Sequence, residues 1–198
     1  MNQQQTKNQR LILIIFAMSF IPFLIAWYLK EHPQTLVTHT NNGELITPPV
    51  PTDLIEFTGL DQFSRNNMSE IAGHWVLLNV IAGNDCNQTC LDAIHKTKQI
   101  VLMLNKDLTR TRRLVAVFNP PPETVSAKWW EDDSRLLRAQ AMPELKQKLT
   151  TIRKAEIPEG MLFLMDPLGN LMMQYEPGFD PYKVKDDLKK LLMISQIG

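Results

Sequence analysis

The chain has 198 residues, 44% of them hydrophobic and 21% charged, and its 21 Lys+Arg balance its 21 Asp+Glu. A formal net charge of zero offers no basic face for nucleic acid, and two cysteines are too few for a small disulfide-scaffolded protein. With the apolar N-terminus and the polar stretch after it set aside, about 150 residues remain, enough for one domain with its own core.

Residues 11–29 (LILIIFAMSFIPFLIAWYL) carry no charge. At about 1.5 Å per residue they reach about 28 Å, close to the ~30 Å hydrocarbon thickness of a bilayer. Helices apolar all round are uncommon in soluble proteins. Pro22 is tolerated in a membrane helix, and Trp27 and Tyr28 sit where aromatic belts form. A cleaved signal peptide competes with this reading, but its apolar region is shorter and its cleavage site is built of small residues. Ala26-Trp27-Tyr28 is bulky instead, so an uncleaved single-pass anchor is expected over 11–29, with residues 1–10 as a cytoplasmic tail. Lys7 and Arg10 precede the span while Lys30 and Glu31 follow it, and the positive-inside rule then places everything after residue 30 outside the cytoplasm.

Residues 30–52 are polar, with Pro33, Pro48, Pro49 and Pro51 and the turn signal Asn42-Gly43, and read as a Pro-rich tether. The folded domain is expected over 53–198. Residues 75–82 (WVLLNVIA) form a short apolar run that suits a buried strand, and Gly83-Asn84-Asp85 is a turn. A helix is expected over 87–106, with Leu91, Ile94, Lys98, Val101, Leu102 and Asn105 near one stripe. Residues 114–118 (LVAVF) read as a second buried strand, stopped by Pro120-Pro121-Pro122. Residues 134–153 are helix-like, broken or restarted at Pro143. Residues 161–165 (MLFLM) are a third strand, Pro167-Leu168-Gly169-Asn170 a tight turn, and 171–175 the returning strand of a hairpin. An amphipathic helix closes the chain over 181–194, with Val184, Leu188, Leu191 and Leu192 on one face. Two strands joined by a helix require a right-handed parallel crossover, and the hairpin adds antiparallel strands. This order is that of an α/β, thioredoxin-like domain.

Cys86 and Cys90 fall after the first core strand, at the start of the next helix. Four-residue spacing on a helix puts both thiols on one face with Cα atoms roughly 6 Å apart, within disulfide range. A helix N-terminus stabilises a thiolate, which is both the nucleophile of disulfide exchange and a soft ligand for Cu(I). Asp85 acts in the opposite sense, since a neighbouring carboxylate raises a thiol pKa. An inert local disulfide is the competing reading.

The segment Gly73-His74-Trp75-Val76-Leu77-Leu78-Asn79-Val80, the Cys86-x-x-x-Cys90 pair and the turn Asp166-Pro167-Leu168-Gly169-Asn170 together resemble the Sco/SenC family of copper chaperones. The resemblance is strongest to small membrane-anchored Sco-like proteins that accompany haem–copper oxidase assembly genes in proteobacteria. Asn42-Gly43-Glu44-Leu45-Ile46-x-Pro48 and Asp187-Leu188-Lys189-Lys190-Leu191-Leu192 match that group as well. The resemblance implies an inner-membrane protein with a periplasmic domain, serving as an accessory factor in cytochrome c oxidase biogenesis. Cys86 and Cys90 would act by thiol–disulfide exchange or by weak Cu(I) handling, no cofactor being required. The implied partners are cytochrome c oxidase subunits or copper-site assembly proteins. The alternative is a non-catalytic membrane-anchored scaffold whose disulfide is structural.

One departure from the family pattern bears on copper. Sco proteins add a distal histidine to their cysteine pair, whereas the histidines here are His32, His39, His74 and His95, and Pro158 stands where the family's ligand would fall. Ile157-Pro158 before a strand is similar to the cis-proline of thioredoxins, the alternative being a trans proline that ends a loop. Asp85 or Glu159 could supply an oxygen ligand, although carboxylate is a poor match to Cu(I). His95 lies five residues after Cys90 and points away from it, and His74 reads as an edge residue. Met161, Met165, Met172 and Met173 suit core filling better than copper ligation. Trp129-Trp130 before Glu131-Asp132-Asp133 reads as an exposed loop, open to a partner contact, or as a helix start with acidic residues complementing its dipole.

Overall fold

The computed structural model describes residues 3–32 and 41–195. The expected tether residues 33–40, His39 among them, lie outside the described residues. The chain divides into two units, residues 1–40 and a compact unit that begins at Asn41.

The first unit is the helix α1 (Gln3–Glu31), and its stretch Gln9–Glu31 is long and apolar enough to cross a membrane. Pro22 lies within it.

The second unit is a seven-stranded sheet in the order β1-β7-β6-β3-β4-β5-β2. In chain order its elements are β1 (Glu44–Pro51), β2 (Phe57–Gly59), α2 (Gln62–Asn67), β3 (Trp75–Ile81), α3 (Gln88–Leu102), β4 (Thr111–Val117), α4 (Glu123–Ser126), β5 (Leu137–Ala141), α5 (Pro143–Arg153), β6 (Leu162–Met165), β7 (Asn170–Tyr175) and α6 (Pro181–Ile194). β3 pairs parallel with β4 and antiparallel with β6, so the crossover through α3 and the closing hairpin both take their expected places. β3 is buried along its whole length because both faces are covered. Val76, Leu78 and Val80 join one core with Leu145 and Leu149 of α5, and the alternate Trp75 and Leu77 join another with Ala93 and Ile100 of α3 and Val184 and Leu188 of α6.

Four expectations are corrected. The tether does not run to residue 52, because β1 occupies 44–51 as an edge strand on β7. It is held there by the buried carboxylate of Asp187, which accepts from the backbone N–H of Asn42 at 2.7 Å and of Gly43 at 3.0 Å and from the Tyr175 hydroxyl at 3.1 Å. Two segments that carry the family resemblance thus meet in space. The helix-like stretch 134–153 divides: Leu137–Ala141 is a strand parallel to β4, and α5 starts at Pro143, whose missing N–H is harmless in a first turn. The helix over 87–106 ends at Leu102 and gives way to a 3₁₀ segment over Asn105–Arg110. Its buried stripe is Cys90, Ala93, Ile94, Thr97 and Ile100, one position off the expected one, with Leu102 exposed. The polar Thr97 disguised that stripe. Its hydroxyl is satisfied by Asn79 Oδ1 at 2.9 Å and by the Ile94 carbonyl at 2.8 Å, which is what lets it be buried.

Candidate functional site

Cys86 and Cys90 are joined as a disulfide with Cα atoms 5.3 Å apart. They do not share a helix face, because Asn87 between them is the N-cap of α3, accepting from the Cys90 N–H at 3.0 Å. Cys86 therefore precedes the helix and Cys90 lies in its first turn. The Cys86 N–H donates to its neighbour's carboxylate, Asp85 Oδ1, at 2.8 Å. Both cysteines are buried, at 5% and 2% exposure, whereas Asn87, Gln88 and Thr89 between them are exposed, so the loop is at the surface while its sulfurs face inward.

The apolar side chains around the pair include a surprise for the sequence reading. Trp129 and Trp130 are not exposed: they lie in the same buried cluster as Cys86, Cys90, Ile81, Ile94 and Val117. Their rings meet edge to face at 5.4 Å, and the Arg138 guanidinium sits 5.4 Å from the Trp130 ring centroid. Nor do the acidic residues after them begin a helix. Asp133 is buried in an ion pair with Arg113, Nη1 to Oδ2 at 2.6 Å. Arg113 also donates to the Ile94 carbonyl at 2.8 Å and to Thr97 Oγ1 at 3.2 Å, so one guanidinium ties β4, α3 and the segment after the tryptophans together. Burial pulls the Arg113 pKa down, and the Asp133 carboxylate opposes that pull.

Pro158 is half-buried, and its peptide bond is not cis. Among the described residues the cis bond is Thr47–Pro48, in β1, so the analogy with a thioredoxin cis-proline fails. The next two residues make the contacts instead. Glu159 Oε1 accepts from the Gly83 N–H at 3.1 Å, while its Oε2 is buried without a partner. Burial raises the Glu159 carboxyl above the usual range against the lowering by the Gly83 and Ala82 amides, and Asp85 adds to the rise. Gly160, at φ +86°, packs on Thr89: a Cβ there would lie 2.8 Å from Thr89 Cγ2 and 2.9 Å from its carbonyl oxygen.

The other candidates are dispersed. His74 is half-buried and His95 exposed, His95 lying 3.0 Å from the Gln99 amide, and His32 stacks on Tyr28 in the first unit. Met161, Met165 and Met173 are core residues. Among the described residues, no three His, Cys, Asp or Glu side chains come together as a metal site. The chemistry the pair itself can supply is a two-electron dithiol/disulfide couple, with two thiolates for a soft ion in the reduced form. Sequence reasoning missed the Trp129–Trp130 cover and the role of Arg113. The tryptophans were visible, but nothing local to them shows which way they turn.

Residues 75–195 match the family described as transmembrane-like, thioredoxin-like, C-terminal domain. No curated protein matches the chain. Among solved structures the fold is similar to apo Sco1 from Thermus thermophilus, with a TM-score of 0.54 at 18% identity over 78% of this chain and 99% of that one. It is also similar to yeast Sco1, with a TM-score of 0.50 at 14% identity over 64% of this chain and 84% of that one. At these identities the likeness is one of fold.

Proposed function

We propose that this chain, which belongs to the transmembrane-like, thioredoxin-like C-terminal domain family, is a membrane-anchored thiol–disulfide exchange factor that serves haem–copper oxidase assembly from the periplasmic side of the inner membrane. The observation that carries the reading is the Cys86–Cys90 bond at the start of α3, on a loop whose middle residues are exposed. In the exchange, a thiolate of a partner dithiol attacks one sulfur of the pair. The S–S bond breaks, its electron pair leaves on the other sulfur, and that sulfur takes up a proton. The partner's second thiolate then resolves the mixed disulfide, leaving the partner oxidised and the pair as two thiols. Run in reverse, the same steps reduce a partner disulfide, such as one between copper-site cysteines. The oxidase context rests on the resemblance of the segments around Trp75, Cys86 and Asp166 to Sco/SenC proteins, and the periplasmic side on the basic residues before the span.

Copper enters this reading as cargo. The reduced pair suits two-coordinate Cu(I), because a soft ion accepts two thiolates. With no third His, Cys, Asp or Glu side chain gathered with the pair as a metal site among the described residues, exchange is favoured over stable copper storage. The full chain in detergent, equilibrated against dithiothreitol buffers and read by thiol alkylation, tests the proposal. A midpoint above about −300 mV is expected, whereas one below it marks a structural bond and favours the scaffold. A reporter fused after residue 198 that is active in the cytoplasm would overturn the orientation.

A further inference from the structure

We propose that Glu159 is a positioning residue of the Cys86–Cys90 pair, its carboxyl oxygen holding the Cys86 arm where the disulfide closes. The inference deepens the exchange reading and rests on it for its biological meaning. The geometry is that of a clamp made by two adjacent residues. Glu159 takes the arm before Cys86 through the Gly83 N–H at 3.1 Å. Gly160 takes the arm before Cys90 through its contact with Thr89, so close that only a residue without Cβ fits. Asn84 and Asp85 are exposed, and the Cys86 N–H is bonded only locally, to Asp85. Among the described residues, the side-chain hydrogen bond that ties this arm to the rest of the fold beyond β3 is the one from Gly83 to Glu159. The position at Gly83 is fitted to the clamp as well, since a Cβ there would lie 3.3 Å from Glu159 Oε1.

The consequence follows from ring closure. A disulfide is favoured over two thiols in proportion to the effective concentration of one sulfur at the other, and that concentration depends on how well the chain holds them together. Cys90 is fixed by α3 and by its cap. Cys86 is held through the arm that Glu159 grips. Releasing the arm lowers the effective concentration and makes the bond easier to reduce.

The test compares Glu159→Ala, which removes the acceptor, with Glu159→Gln, which removes the charge and keeps an acceptor oxygen. Each full chain is equilibrated in detergent against graded dithiothreitol buffers. Glu159→Ala is expected to raise the equilibrium constant for reduction about tenfold, equivalent to about 30 mV. Glu159→Gln is expected to stay within about twofold of the unaltered chain. Equal shifts in both variants would assign the effect to charge and overturn the proposal, as would no shift in either. If Glu159→Ala fails to fold, amide exchange in the unaltered oxidised chain decides: Gly83 must be protected relative to Asn84, and an unprotected Gly83 overturns the clamp. The unaltered chain's own midpoint tests the exchange reading separately, because the clamp is read from a difference between variants.

Discussion

Asp133→Ala tests how the disulfide is kept covered. The substitution strips the partner from an Arg113 guanidinium that is 6% exposed and paired at 2.6 Å. Removing one member of a buried pair costs about 3–5 kcal/mol, because the remaining charge stays desolvated. Arg113 keeps its hydrogen bonds to the Ile94 carbonyl and to Thr97, which places the expected cost at the low end, about 3 kcal/mol. At about 2–4 °C per kcal/mol for a domain of this size, melting falls by about 6–12 °C. The loss is not confined to the pair. The Asp133 N–H donates to the Trp130 carbonyl at 3.1 Å, so the tryptophan cover loosens with it. The assay is a near-UV circular dichroism melt of the full chain in detergent, together with the rate of disulfide reduction by dithiothreitol. We expect a lower melting temperature, weaker aromatic dichroism and severalfold faster reduction. The double variant Arg113→Met/Asp133→Leu replaces the pair with apolar volume and is expected within about 1 kcal/mol of the unaltered chain. A single variant that melts within about 1 °C of the unaltered chain, or a double variant as damaged as the single, refutes the reasoning.

Two further outcomes separate local effects. Gly160→Ala and Gly178→Ala both force a residue with Cβ into positive φ, +86° and +82°, but a Cβ at 178 meets nothing within 4 Å whereas one at 160 meets Thr89 at 2.8 Å. Both lose the roughly 1 kcal/mol of conformational preference, and Gly160→Ala loses more and also shifts the disulfide midpoint; equal losses in the two would show that the Thr89 contact carries no energy. The pH profile follows from Glu159, whose carboxyl is raised by burial above its ordinary 4.5. A carboxyl raised in the folded state binds its proton more firmly there than in the unfolded chain. Stability is therefore lost as pH rises from the unfolded value through the folded one. The melting temperature of Glu159→Gln relative to the unaltered chain should be higher at about pH 7 than at about pH 4, and a difference independent of pH counts against the shift.

The elements read most easily were those whose pattern is local. β3 is apolar at every position but Asn79, and β6 at every position, so each is a buried strand whatever surrounds it. The turn at Asp166 carries its own chemistry: Asp166 Oδ1 accepts from the N–H of Leu168 at 2.9 Å and of Asn170 at 2.8 Å, and Gly169 supplies a φ of +89°. β1 and β5 are hidden in the sequence for opposite reasons. Three prolines made β1 look like a spacer, although an edge strand tolerates them because part of its backbone pairs with nothing. β5, with Arg138 and Gln140 at alternate positions, was too polar and too short to stand out from the helix behind it.

At the site the division is similar. The order of strand, cysteine pair and helix in the sequence was enough to set the pair at the start of α3, because adjacency along the chain survives folding. That order, with the hairpin and the closing amphipathic helix, also determined the fold class, and the uncharged stretch over 11–29 determined a helix of membrane-spanning length. Only the tertiary structure decided what lies against the cysteines. Trp129 and Trp130 join their buried cluster from beyond β4, Arg113 finds Asp133 across 20 positions, and Glu159 finds Gly83 across 76. Such contacts leave no periodicity to read, since each side chain satisfies its local element equally well facing in or out. Which way it turns is decided by the burial and hydrogen bonding of the whole domain.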